Sequence, residues 1–162
     1  MTEHGVAATV AVALGSNLGD RRAWIDQATA LLSRLLDDLQ VAPVRETTPV
    51  GVDTPQSDYL NTVVVGTTRL APRALLDALL DIERVLGRAR PHRNAPRTID
   101  LDLVLYGDTI IDEPGLQVPH PRFRERLFVL DPLADLAPDW RDPVTGLTIR
   151  HLREELAIDP PP

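Results

Sequence analysis

With 162 residues, 43% of them hydrophobic and 25% charged, the chain has the composition of one ordinary globular domain that can bury a core without help. A formal net charge of -7 argues against general binding to nucleic acid or anionic membrane, and the lack of cysteine excludes disulfides, thiolate metal sites and thiol nucleophiles. All 17 basic residues are Arg, which excludes every mechanism that needs a lysine, the P-loop and Schiff bases included.

The N-terminal apolar run is too short to span a membrane and has no basic flank, so the expectation is a cytoplasmic protein without a signal peptide. Residues 9–14 (TVAVAL) are β-branched and apolar and predict a buried strand. A GSNLGD turn follows, then a helix over 21–39 in which Trp24, Ala28, Leu31, Leu35 and Leu39 recur at helical spacing and Asp20 serves as N-cap. Residues 41–47 read as a second strand, 48–58 as a loop with two Pro and a Gly, and 59–70 as a third strand. Pro72 at a first turn and Gly87 past an end bracket a helix with the stripe Leu75, Leu76, Leu79, Ile82 and Leu86. Residues 87–97 are irregular, and 98–106 (TIDLDLVLY) alternate as a strand. Turns, an Arg-rich helical segment near 121–130 and a short helix over 148–157 complete the chain. The order β-α-β-β-α-β plus a C-terminal extension predicts an α+β, ferredoxin-like antiparallel sheet with helices on one face. No linker interrupts it, so residues 1–162 read as one domain, with 1–8 and 158–162 as loose termini.

The sharpest chemical feature is Asp100-Leu101-Asp102 inside a strand. Alternation puts Thr98, Asp100, Asp102 and Val104 on one face and the apolar Ile99, Leu101, Leu103 and Leu105 on the other. Two strand steps separate the carboxylates by roughly 7 Å. At that distance, and at an effective dielectric near 20, they repel by about 2 kcal/mol. A rigid pair of this kind suits a hard divalent cation such as Mg²⁺; a solvated acidic face is the alternative reading. Arg84, Arg88, Arg90, Arg93 and Arg97 crowd the stretch just before it, a local cationic cluster in an acidic chain. Carboxylates for a metal beside Arg forks make the minimum kit for a polyphosphate. A further basic group, Arg122, Arg124 and Arg126, follows Pro119-His120.

At these residues the chain resembles the 6-hydroxymethyl-7,8-dihydropterin pyrophosphokinases. The resemblance rests on Gly15-Ser16-Asn17-Leu18-Gly19-Asp20, Thr47-Thr48-Pro49-Val50-Gly51 and Tyr59-Leu60-Asn61. It rests most on Pro96-Arg97-Thr98-Ile99-Asp100-Leu101-Asp102-Leu103 and on Val118-Pro119-His120-Pro121 through Arg126, Phe128 and Leu130. It implies transfer of the β,γ-diphosphate of ATP to the pterin hydroxymethyl group, with AMP leaving, in folate synthesis. Asp100 and Asp102 would hold two Mg²⁺ ions, and with Arg90 and Arg97 would form the catalytic set. Glu83, Arg88, Arg90, Arg97, Leu103, His120 and Arg126 would bind ATP. Thr47, Thr48, Val50, Tyr59, Asn61 and Phe128 would bind the pterin, Tyr59 and Phe128 sandwiching its ring. Residues 87–97 would close over both substrates, with no nucleic-acid or membrane partner and a monomeric protein. The chain departs from the family pattern at Asn94, where a Trp is usual, at Leu80, where some relatives have Gln, and at Pro121, which is no aromatic. A metal-dependent nucleotidyltransferase also pairs a Gly-Ser turn with D-x-D, but there the two lie close in sequence, unlike Ser16 and Asp100. A ferredoxin-like RNA-binding module would want aromatics and positive charge where this strand offers carboxylates.

Overall fold

The computed structural model describes residues 6–48, 58–87 and 99–158. Its elements are β1 (Ala8–Ser16), α1 (Arg21–Leu32), β2 (Asp37–Val41), β3 (Arg45–Thr47), β4 (Tyr59–Thr68), α2 (Pro72–Leu86) and β5 (Asp100–Tyr106). Then come β6 (Ile111–Glu113), β7 (Leu116–Val118), a 3₁₀ turn (Phe123–Glu125), α3 (Leu127–Leu136) and α4 (Ile149–Ile158). The main sheet runs β2-β4-β1-β5, with β3 also paired to β4 and every pairing antiparallel. This is the ferredoxin-like arrangement the element order predicts.

The central strand β1 is buried on both faces. Val10, Val12 and Leu14 meet α1 (Ile25, Ala28, Leu32) and α2 (Leu75, Leu79, Ile82), joined by Val64, Leu101 and Leu103 of the neighbouring strands. Ala11 and Ala13, with Val63, Val65, Val104 and Leu105, meet Val129, Leu130 and Leu133 of α3 and Ile149 and Leu152 of α4. The expectation of helices on one face alone is therefore corrected: the C-terminal extension covers a second apolar surface. The Arg-rich segment is a 3₁₀ turn followed by a ten-residue helix that continues through the buried Pro132. Inside the extension Arg124 reaches back to Asp142, which is 0% exposed, donating Nη2 to Oδ1 at 2.8 Å. Burial alone would raise the Asp142 carboxyl, but Arg124, Thr145 and the Val144 amide hold it below its ordinary value.

Two other expectations change. The first helix stops at Leu32, not Leu39; Ser33 caps it, and Asp37–Val41 pairs with the outer edge of β4. Leu35 and Leu39 keep their contact with the core, so the helical spacing is matched by a strand that returns over the same surface. The second strand breaks into β2 and β3 around Pro43, which has no N–H to offer a ladder. In β5 the register shifts opposite Ala11 and Val12, leaving Val104 as an extra residue. That bulge turns Leu105 to the α3 side, away from Leu101 and Leu103, against strict alternation.

Candidate active site

Where the α3–α4 cover ends, the same sheet face becomes polar. The register aligns Asn61, Gly15 and Asp100 on β4, β1 and β5, and one rung further in, Val63, Ala13 and Asp102. Asp100 and Asp102 are half-buried and stand on one face of β5, as alternation requires.

β5 is the edge strand, and its open side forms one wall of a cleft of about 700 Å³. Leu76, Leu80 and Glu83 of α2 form another wall, and the β6–β7 hairpin with His120 a third. Glu83 serves the edge directly: its Oε2 accepts from the Leu101 N–H at 2.7 Å. Burial pushes the Glu83 carboxyl up to about 7, against that hydrogen bond and with help from the neighbouring Asp100 and Asp102. Leu103 lies in the same wall. Arg73, on the first turn of α2, braces the hairpin by donating to Glu113 Oε2 at 3.0 Å and to the Pro114 carbonyl at 3.3 Å.

His120 follows the cis Val118–Pro119 peptide and donates its backbone N–H to the Val104 carbonyl on the edge of β5. Its Nδ1 accepts from the Arg122 N–H at 3.1 Å. Burial, then the charge of Arg126, lowers its pKa to about 4. The ring is thus neutral near pH 7, and a neutral imidazole that accepts at Nδ1 carries its proton on Nε2, a donor for an anionic oxygen. Arg126 stands 3.8 Å from Asp102 and lies over the Phe128 ring at 5.5 Å. Phe128, on the first turn of α3, is 38% exposed, an aromatic ring partly open to solvent beneath a cation.

On the other side of β1, Asn61 is 6% exposed and donates Nδ2 to Thr47 Oγ1. Thr47 pairs with Tyr59 across β3 and β4, and the Tyr59 ring lies beside Gly15. Arg21 ties the segment down by donating to the Asp58 carbonyl at 2.6 Å. Thr48 is exposed at the end of β3.

The structure therefore brings Glu83, Asp100, Asp102, Leu103 and His120 to one cleft, Arg126 beside Asp102 and over the Phe128 ring, and Thr47, Tyr59 and Asn61 together across β1. Val50, Arg88, Arg90 and Arg97, and the loop over 87–97 beyond Gly87, lie outside the described residues. Of the later Arg group only Arg126 reaches the carboxylates; Arg124 belongs to Asp142 and Arg122 is exposed. The β6–β7 hairpin wall was not foreseen; its signal was Pro114-Gly115 between Ile111 and Val118. Among the described residues no group of three or more His, Cys, Asp or Glu side chains is arranged to hold a metal ion by itself. No described helix is long and apolar enough to cross a membrane.

Comparison with known proteins places these features in context. Residues 11–138 match the family described as 7,8-dihydro-6-hydroxymethylpterin-pyrophosphokinase. The 2-amino-4-hydroxy-6-hydroxymethyldihydropteridine pyrophosphokinase of Pseudomonas aeruginosa is 47% identical over 154 residues, covering 93% of this chain and 91% of that protein. The enzyme of the same name from Bacillus subtilis is 46% identical over 127 residues, covering 77% and 75%. Among solved structures, a Plasmodium falciparum HPPK-DHPS triple mutant superposes with a TM-score of 0.75 at 18% identity. It covers 95% of this chain, which spans 45% of that longer one, so the likeness is one of fold.

Proposed function

The chain belongs to the 7,8-dihydro-6-hydroxymethylpterin-pyrophosphokinase family, and we propose that it transfers the diphosphate of ATP to the hydroxymethyl group of the dihydropterin, releasing AMP. The observation that carries this reading is the rung Asn61–Gly15–Asp100: a recognition amide and a carboxylate pair stand on one sheet face, two strands apart.

In this reading the pterin lies across the Asn61 side. Asn61 offers donor and acceptor to its edge, and Tyr59 and Phe128 contribute aromatic surface to its ring, with Thr47, Thr48 and Val50 around it. The triphosphate lies along the β5 edge, where Leu103 and Glu83 line its cleft. His120 donates from Nε2 and Arg126 from its guanidinium to phosphate oxygens, with Arg88, Arg90 and Arg97 completing the cationic set. The hydroxymethyl oxygen attacks the β-phosphorus in line and gives up its proton to water, the bond to the α-phosphate oxygen breaks, and AMP leaves with that electron pair.

Asp100 and Asp102 fit Mg²⁺: they are hard oxygen donors on a rigid strand, too few to cage an ion alone and so suited to one that arrives with phosphate. Two such ions would neutralise charge developing on the transferred and leaving phosphates. The reading includes a single monomeric domain acting in the cytoplasm.

The test is to incubate the protein with ATP, Mg²⁺ and hydroxymethyl-dihydropterin and identify the nucleotide product. AMP with the pterin diphosphate is expected. Pyrophosphate release would point to nucleotidyl transfer and overturn the assignment.

A further inference from the structure

Gly15 sits between the two halves of the site, in register with Asn61 on one side and with Asp100 on the other. Strands lie about 4.8 Å apart, so Asn61 and Asp100 are separated by roughly 10 Å with a bare backbone between them. The backbone does not demand a glycine here: Gly15 is not among the residues with positive φ. Space demands it. A β-carbon on Gly15 would fall 3.1 Å from Asn61 Oδ1 and 3.4 Å from Tyr59 Cδ1. Asn61 has no free retreat, because its amide nitrogen is bonded to Thr47 and the residue is buried.

Gly66 on β4 gives the contrast. A β-carbon there would meet the Asp37 carbonyl oxygen at 2.9 Å and Leu36 Cβ at 3.1 Å, contacts of backbone and core. Gly66 is a packing glycine, whereas the atoms crowded at Gly15 belong to Asn61 and Tyr59.

We infer that Gly15 is a positioning and specificity-determining residue for the acceptor: its missing side chain lets Asn61 and Tyr59 hold the pterin low against β1, so that the hydroxymethyl group points toward Asp100. The inference rests on the pterin site proposed above. Gly15→Ala displaces Asn61 by a few tenths of an ångström, brings a methyl group into contact with Tyr59, and leaves the ATP cleft alone, since none of the cleft-lining residues is among the nearest atoms.

The test uses the full chain saturated with Mg²⁺ and a non-hydrolysable ATP analogue, titrated with hydroxymethyl-dihydropterin, in four variants. Gly15→Ala is expected to weaken pterin binding by about tenfold with analogue affinity within about twofold and an unchanged melting midpoint. Gly66→Ala is expected to lower the midpoint and leave both affinities of the folded protein unchanged. Asn61→Ala weakens the pterin, and because Gly15 acts through Asn61, Gly15→Ala/Asn61→Ala loses little beyond Asn61→Ala alone. Normal pterin affinity in Gly15→Ala, with Asn61→Ala impaired, overturns this inference and leaves the site standing. Normal affinity in Asn61→Ala overturns the site and the inference with it. Loss of folding, a lowered midpoint, or equal loss of both ligands in Gly15→Ala marks the glycine as structural and overturns the inference.

Discussion

Toward α1 and α2, β1 presents Val10, Val12 and Leu14; toward α3 it presents Ala11, Ala13 and then Gly15. The first face stays large and apolar along the strand and is covered by two helices. The second is small throughout, Ala then Ala then Gly, and where the α3–α4 cover ends its neighbours change from Val63 and Val65 to Asn61, and from Val104 and Leu105 to Asp102 and Asp100. One set of strands thus does two jobs. The α1–α2 face supplies burial that holds the strands rigid, and the far end of the other face uses that rigidity to keep two carboxylates and the buried Asn61 amide in fixed register. Stability and chemistry should separate cleanly between the faces.

The largest expected effect is on the polar end. Asp100→Ala or Asp102→Ala is expected to reduce turnover by at least about a thousandfold, as loss of charge stabilisation in phosphoryl transfer does. The urea midpoint should stay at or slightly above wild type, since one of two repelling carboxylates is gone and the Asp102–Arg126 pair, half-exposed, contributes little. Steady-state AMP production with parallel urea unfolding checks this; near-normal turnover in either variant breaks the division of labour.

The α1–α2 face should behave in the opposite way. Leu79, fully buried between α2 and the sheet, is expected to cost about 2–5 kcal/mol on truncation to Ala. At a temperature where that variant is still folded, its KM for both substrates should match wild type. A change in pterin KM as large as the loss of stability would show that the two faces are coupled.

Phe128 tests the border between the regions, since it belongs to a core helix but exposes its ring beside Arg126. Phe128→Ala should weaken pterin binding by roughly 1–3 kcal/mol through lost stacking and burial, and leave binding of an ATP analogue nearly unchanged. Calorimetric titration with each ligand decides; equal losses would assign the ring to the core.

Much of this was legible in the residues, and the failures share a cause. Asp100 and Asp102 opposite Ile99, Leu101 and Leu103 followed from alternation, because a strand has period two whatever packs on it. The helix of α2 followed from Pro72, Gly87 and an unbroken stripe. Leu105 went to the wrong face because a bulge adds one residue and reverses every alternation after it. Leu39 fits a helical spacing because a strand folding back over the same core repeats the spacing of a longer helix. The second core is hidden from local pattern because α3 carries Pro132 and begins in an Arg-rich turn, signals of irregular chain that packing against β4 overrides. The motif residues of the site came from resemblance, whereas the contact of Glu83 with Leu101 depends on how α2 lies along the edge of β5, which no local pattern encodes.

That contact yields the smallest and most local prediction. Burial raises the Glu83 carboxyl from 4.5 to about 7, so between those values the folded chain holds a proton that the unfolded chain has lost. The contribution of Glu83 to stability should therefore fall as pH rises from about 4.5 to about 7, and level off above, where the group is ionised in both states. The full shift would be worth about 3 kcal/mol, but the cleft is open to water and the pair is screened, so an effect on the order of 1 kcal/mol is expected. Glu83→Gln keeps an oxygen that accepts from Leu101 and removes the titration. Urea unfolding of both proteins at pH 5 and pH 7.5 isolates this term, because His120 and the other titrating groups act on wild type and variant alike. The variant should gain on wild type as the pH rises. An identical pH dependence in the two would mean that Glu83 is ionised throughout, and that the edge of β5 carries three negative charges even before any phosphate arrives.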